Sequence, residues 1–263
     1  MVSKDKDKDR ISGALEIIKG RMFWISDSKP PKCKTSQAFY FCIDDNLVYE
    51  PFCDDFGPLN LAMTHKYCTE VDKILGNPDY SKHKLYHYTS LDYKKRANAA
   101  YLLGAYLVIC RGFTAKDAFK FFEDINPPFV PFRDAINGEC TYACNIIDCL
   151  RGLECAIKLK WYDHAAFNVK QYEEYERVDN GDMNWIIPGK FIAFSSPSNS
   201  QYDQEGYRTF TPEDYVPIFK KWHISLVIRL NKETYDSKKF LKSGIKHLEL
   251  FFADGSVPKI VSF

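Results

Sequence analysis

Residues 84–110, KLYHYTSLDYKKRANAAYLLGAYLVIC, constrain this chain more than any other stretch. The pattern predicts a short strand over 85–89, a polar turn, and a helix starting near Lys94. From Ala99 to Cys110 the helix carries no charged residue. That apolar run is too short to cross a bilayer, which takes about 20 residues. A helix apolar on every side belongs instead in a globular core. A strand feeding a turn and then a buried helix is the geometry of phosphate-binding loops, because the amides at the helix N-terminus point at the anion. This turn has no glycine. Leu91, Asp92 and Tyr93 crowd the place where a phosphate would sit, and Asp92 repels it. The stretch has the architecture of a phosphate site without its chemistry.

The length, 263 residues, allows one large domain or two small ones, and 45% hydrophobic residues supply a core. A net charge of +1 gives no bulk field toward nucleic acid or membrane. The abundant Tyr and Phe therefore read as core, not as a base-stacking platform, since no basic stripe accompanies them. Residues 2–10, VSKDKDKDR, look nothing like a signal peptide; residues 1–11 are expected to be a disordered, alternating-charge tail. No run reaches transmembrane length. The expected compartment is cytosol or nucleus, with the nine cysteines reduced.

Along the chain, strands are expected over 21–26 and 38–43. A turn at Asp44-Asp45-Asn46 and the segment LVYEPF make 39–52 a predicted hairpin. A helix over 59–75 stops at Gly76-Asn77-Pro78. After the central strand, turn and helix, Thr114 and Asp117 form a capping-box-like start for a helix over 115–124. Pro127, Pro128 and Pro131 hold an extended segment, and 140–160 reads as a helix. A second unit follows: a short acidic helix over 172–176, paired strands over 183–195, a helix over 212–222 with Pro at its first position, a buried strand over 223–230, a helix over 235–243, and a strand over 245–252. Strands alternating with helices give an α/β fold in both units.

The blocks ALEIIKGRMFWIS, LVYEPFCDDFGPLNLAMTHKYC, KKRANAAYLLGAYLVI, NPPFVPFRDA, YERVDNGDMNWIIPGKFIAFS, VIRLNKETYDSKKF and FFADGS occur in that order. Together they closely resemble the cell-division-cycle-fourteen family of dual-specificity protein phosphatases, over about residues 14–256. The resemblance implies tandem phosphatase-like α/β domains. A non-catalytic first domain is expected over 12–160, a linker helix region over 161–182, and the start of a catalytic tyrosine-phosphatase-like domain over 183–263, incomplete as written. It also implies hydrolysis of phosphoserine or phosphotyrosine through a cysteinyl-phosphate, and roles in mitotic exit and cell division. The implied location is nucleus and cytoplasm, with centrosome, spindle or cilium base.

Phosphatases of this class use H-C-x5-R, in which loop amides lower the thiol pKa and the Arg clamps two phosphate oxygens. Six residues after each of the nine cysteines stand Phe39, Val48, Leu59, Ile74, Lys116, Ile146, Leu150, Cys155 and Trp161, none of them Arg. The nearest echo puts Tyr88 at the nucleophile position and Lys94 at the Arg position, as in the family's non-catalytic domain. His87 reads as a structural hydrogen-bonding group. Asp254 falls at the family's general-acid position, where an Asp protonates the leaving oxygen; taken alone, Asp254-Gly255 reads as a turn. Glu173 and Glu176 match acidic positions lining a groove for basic residues beside the target phosphoserine, against the plain reading of a solvated helix face. The expected partners are therefore phosphoproteins with basic residues near the phosphosite, not nucleic acid or membrane, with chaperone contact through uncovered apolar strands of the second unit. Cys140, Cys144, Cys149 and Cys155 lack zinc spacing and read as buried helix-packing residues. No metal and no cofactor is expected. Two functions stay open: a dual-specificity phosphatase whose nucleophile loop lies outside this sequence, leaving it inactive as written, or a short non-catalytic form that binds substrates or partners. Transcript sequencing past the codon for Phe263 distinguishes them.

Overall fold

The computed structural model describes residues 13–31, 37–136, 138–140 and 142–253. The tail expected over residues 1–11 lies outside the described residues. The chain divides into two compact units, Met1–Phe167 and Asn168–Phe263, each with its own buried core.

The first unit is built on a four-stranded sheet. Strands β1 (Leu15–Ile18) and β2 (Met22–Ser26) pair antiparallel, and β4 (Lys84–Thr89) lies between β2 and β3 (Ala38–Cys42), parallel to both, in the order β1-β2-β4-β3. Side chains alternate across β4 as the pleat requires. Tyr86 stacks on Phe23 and Tyr40 on one face, with ring centroids 5.0 and 5.2 Å apart. On the other face His87 stacks on Phe41 at 5.0 Å. Helix α1 (Leu61–Gly76) is capped by Asn60, whose side chain accepts from the Met63 amide. Helix α2 (Tyr93–Arg111) is buried without interruption from Arg96 to Val108 and forms the centre of the unit, as the uncharged run from Ala99 to Cys110 predicts. Gly112, at φ 69°, closes it in the left-handed conformation that glycine adopts without penalty. Within α2, Gly104 admits Leu150 of helix α4 (Ile146–Lys158) so closely that a Cβ there would lie 2.7 Å from its Cδ1.

Several expectations are corrected. The hairpin over 39–52 does not form: β3 pairs only with β4, in parallel, and 48–53 has no strand. The backbone donors of Phe52 and Cys53 are taken by the Asp55 carboxylate instead of a ladder. A parallel neighbour needs a crossover, and α1 supplies it. Strand β1 was not expected at all. The helix at 115 is short, α3 (Ala115–Phe119), because Phe122 turns into the core against Trp24 and Phe129. α4 starts at Ile146 instead of 140, since Ala143–Cys144 forms strand β6 against β5 (Phe132–Arg133). The cysteines of this region are not buried: Cys140 and Cys155 are exposed, and Cys144 and Cys149 are half-buried.

In the second unit, helix α5 (Val169–Glu176) precedes the hairpin of β7 (Met183–Ile187) and β8 (Phe191–Phe194). Helix α6 (Pro212–Lys221), strand β9 (Leu226–Arg229), helix α7 (Lys238–Lys242) and strand β10 (Lys246–Glu249) follow, β9 and β10 pairing in parallel. The core gathers Met183, Tyr215, Phe219, Val227, Tyr235, Phe240 and Ile245. Thr211 and Asp214 form a capping box at the start of α6. The strand expected to be buried over 223–230 is buried on one face only. Val227 and Arg229 point inward, while Leu226, Ile228 and Leu230, with Leu248 beside Ile228, stay exposed. A two-stranded sheet has few shielded ladder bonds, and this one has a wet apolar face. Amides of β4 and α2 are therefore expected to exchange with solvent orders of magnitude more slowly than those across 224–252. Equal, slow exchange in both regions of a soluble monomer, followed by mass spectrometry, would contradict this. Among the described residues no helix is long and apolar enough to cross a membrane.

Candidate functional site

The turn between β4 and α2 is where a strand-loop-helix phosphate site would lie. Four of its donors are already engaged by the chain's own acids. The Thr89 hydroxyl and the Ser90 amide donate to the two oxygens of Asp44, at 3.0 and 2.9 Å. The Lys94 and Lys95 amides, two of the free donors in the first turn of α2, both donate to the Asp92 carboxylate, at 2.9 and 3.0 Å. Asp92 is thus the helix N-cap, occupying the spot from which it was expected only to repel an anion. The adjoining cavity, about 230 Å³, is lined by Asp44, Asp55 and Asp92 with Lys94, Lys95 and Asn98 among others. Burial raises the Asp55 carboxyl, but hydrogen bonds from the Tyr49 hydroxyl and the Cys53 and Phe52 amides outweigh it and hold its pKa low. Such a cavity is hostile to phosphate. Tyr88, at the nucleophile position of the family motif, is buried with its hydroxyl donating to the Asp27 carbonyl at 3.1 Å. Lys94 is partly buried, its ammonium 5.9 Å from the centre of the Tyr93 ring.

His87 is fully buried, with Nδ1 3.0 Å from the Tyr67 hydroxyl. Its Nε2 is buried without a hydrogen-bond partner among the described residues. Burial pushes its pKa down to about 3, with Asp44 pulling weakly the other way. The ring is therefore neutral and structural. The unfolded chain binds a proton on this histidine below about pH 6.5, which the native state refuses. Stability from this group is complete above that pH and is lost as pH falls toward 3. Between pH 7 and 4.5 the wild type is expected to lose ~2–3 kcal/mol more than His87→Gln, measured by urea unfolding at each pH. Burial lowers the pKa of His65, His164 and His247 as well; their contribution is common to both proteins and cancels. Parallel losses in the two proteins would refute the assignment.

In the second unit, Glu173 and Glu176 lie three residues apart on α5 and so share one face, both partly exposed. Tyr175 between them holds the helix to its unit: its ring lies 4.8 Å from Trp222, which lies 5.5 Å from Trp185. The Asn180 side chain donates to the Glu174 carbonyl at 2.7 Å. At the far end of the parallel pair, buried Arg229 clamps Glu249 with two bonds of 2.8 and 2.7 Å and donates to the Tyr235 carbonyl. The Leu250 and Phe252 amides continue the pairing onto the Arg229 and Leu230 carbonyls. This sets the path of the chain toward Asp254, which itself lies outside the described residues. Asp44, Asp55 and the Arg229–Glu249 clamp were not singled out in the sequence. Asp44 serves Ser90 from 46 residues away, and no local spacing signals that. Among the described residues, no group of three or more His, Cys, Asp or Glu side chains is arranged to hold a metal.

The family model for the N-terminal half of dual specificity protein phosphatases matches residues 16–156. Over 253 residues the chain is 46% identical to human dual specificity protein phosphatase CDC14A, covering 96% of this chain and 42% of that protein. It is 42% identical over 254 residues to the Caenorhabditis elegans tyrosine-protein phosphatase cdc-14, covering 92% of this chain and 36% of the relative. With the tyrosine-protein phosphatase CDC14 homolog of Schizosaccharomyces pombe it shares 36% identity over 263 residues, 97% of this chain and 49% of that one. The chain spans less than half the length of these relatives.

Proposed function

This chain belongs to the CDC14 family of dual specificity protein phosphatases, the premise from which we infer that it is the substrate-engaging part of an enzyme hydrolysing phosphoserine or phosphotyrosine in proteins. In that chemistry a Cys thiolate attacks phosphorus, an acid protonates the leaving oxygen, and water releases phosphate from sulfur. Asp254 is the acid in this reading. The nucleophile and its Arg are not among these 263 residues, so the polypeptide they form is inactive alone. Cell-division control, with sites of action in nucleus and cytoplasm, follows from the same family reading.

The observation that carries the proposal is the acidic face of α5. Glu173 and Glu176 are three residues apart, partly exposed, and fixed through Tyr175 to Trp222. Two carboxylates on a rigid helix favour Lys or Arg on a substrate. A phosphoserine peptide with basic residues after the phosphosite is expected to bind the chain weakly, and less so as salt rises. The double variant Glu173→Gln, Glu176→Gln should lower that affinity about tenfold at low salt, read by isothermal titration. An unchanged affinity sinks this role for the two glutamates.

A second reading, a non-catalytic module that binds partners on its own, is favoured by the first unit. Its strand-loop-helix donors are occupied by Asp44 and Asp92, which leaves that unit a surface to present and no anion to hold. Binding of the same peptide with the phosphate removed, at equal affinity, supports this reading over the first.

A further inference from the structure

Helix α4 begins with two devices. Asn145 and Asp148 form a reciprocal capping box. The residues flanking it are Cys144, just before the cap, and Cys149, at the fourth helical position, and their sulfurs lie 3.5 Å apart. At these two positions helices commonly carry a pair of apolar residues that pack together and fix the angle at which the chain enters. Here both are thiols, so the geometry of helix entry itself holds them in contact. We propose that Cys144 and Cys149 are a redox-modifiable pair that peroxide converts, reversibly, into an intrachain disulfide stapling the first turn of α4.

The sulfurs need to close by about 1.5 Å to reach bonding distance, and both belong to half-buried side chains next to solvent. A second thiol pair, Cys68 with Cys110, also shares a hydrogen bond, but Cys68 is fully buried between α1 and α2. Oxidant reaches the α4 pair first. The two thiols have different tasks. Burial, and then the hydrogen bond with Cys144, push the Cys149 thiol up to about 12, so it is a poor first nucleophile. The Cys144 thiolate attacks hydrogen peroxide, giving a sulfenic acid and hydroxide. The Cys149 sulfur then attacks the Cys144 sulfur, expelling the oxygen as water once Cys149 has given up its proton. Two thiols and one peroxide become one disulfide and two waters. A small dithiol or thioredoxin-type reductant returns the pair to thiols.

The stapled turn is the one that docks α4 on α2, since Leu150, the next residue, fills the space left by Gly104. The bond therefore locks a helix start that seats in the core. Closing so short a loop forbids fraying at this turn while leaving the rest of the fold in place.

The test is to expose the full chain to limiting hydrogen peroxide, block free thiols, and map the cysteines by mass spectrometry, followed by hydrogen exchange. The expected result is a peptide carrying a Cys144–Cys149 bond, two hydrogens lighter and restored by dithiothreitol, with amides 146–150 exchanging about tenfold more slowly. In Cys149→Ser, a 1,3-dione probe should label Cys144 as the trapped sulfenic acid; in Cys144→Ser it should label nothing at 149. A first disulfide elsewhere, such as Cys68–Cys110 or one using exposed Cys140, overturns the proposal. So does oxidation of Cys140 and Cys155 while 144 and 149 remain free thiols. Labelling at 149 in Cys144→Ser overturns the division of tasks. The mapping of the wild type stands whether or not either variant folds.

Discussion

Leu103→Asp is expected to destabilise the first unit severely. Leu103 is fully buried in the middle of α2, in the core that also holds Tyr67, Tyr106 and Leu150. The one cation in the helix's buried stretch, Arg96, stands about two turns away and donates to the Pro127 carbonyl, so a carboxylate at 103 must either stay charged in an apolar site or take up a proton at a cost. Either way the substitution is expected to remove ~3 kcal/mol or more, a large part of the 5–15 kcal/mol typical of a domain. Urea unfolding followed by circular dichroism reads the effect, and Leu103→Met, which conserves volume, should cost less than ~1.5 kcal/mol. A midpoint unmoved by Leu103→Asp would mean that α2 is not the centre of the unit.

Purified as these 263 residues, the protein is expected to turn over no aryl phosphate. An enzyme of this class accelerates such a reaction by at least ~10⁶-fold, and none of the nine cysteines is followed by the Arg that its loop requires. The turn between β4 and α2 offers a buried tyrosine where the thiolate would stand, and the Lys94 and Lys95 amides are bonded to Asp92. A general acid cannot attack phosphorus, so Asp254 in its proposed role does not rescue the reaction. Turnover that vanishes in Asp254→Ala would show catalysis by a route without cysteine. Turnover indifferent to that change would instead indicate a contaminating phosphatase.

What could be read in advance was what short-range rules govern. The buried helix announced itself by an uncharged run, the β7–β8 hairpin by Pro188-Gly189, and the start of α6 by Thr211-Pro212. What could not be read depended on distant partners. Asp44-Asp45-Asn46 reads as the turn of a hairpin for β3, yet Asp44 is held across the sheet by Thr89 and Ser90, and the chain leaves for α1 before returning as β4. The strand at 226–229 is apolar enough to read as buried, but only one of its faces meets α6 and α7. Four cysteines near α4 looked like core because cysteine is usually inside; two of them sit in solvent, and two meet only because a helix starts between them. The acidic positions on α5 came from family likeness alone, and the fold adds the aromatic bracket that makes them rigid.

The carboxylates lodged in the β4–α2 turn bear on how inhibitors count. Vanadate and tungstate bind phosphatases by occupying the same cradle of amides as phosphate. In the first unit that cradle is filled from within, by Asp92 at the helix start and Asp44 at Ser90. A longer polypeptide carrying these residues together with one intact nucleophile loop would present two similar folds and yet a single vacancy. Oxyanion titration of such a protein would saturate at one equivalent per chain, and restoring a second would take removal of both aspartates before any cysteine or arginine were introduced.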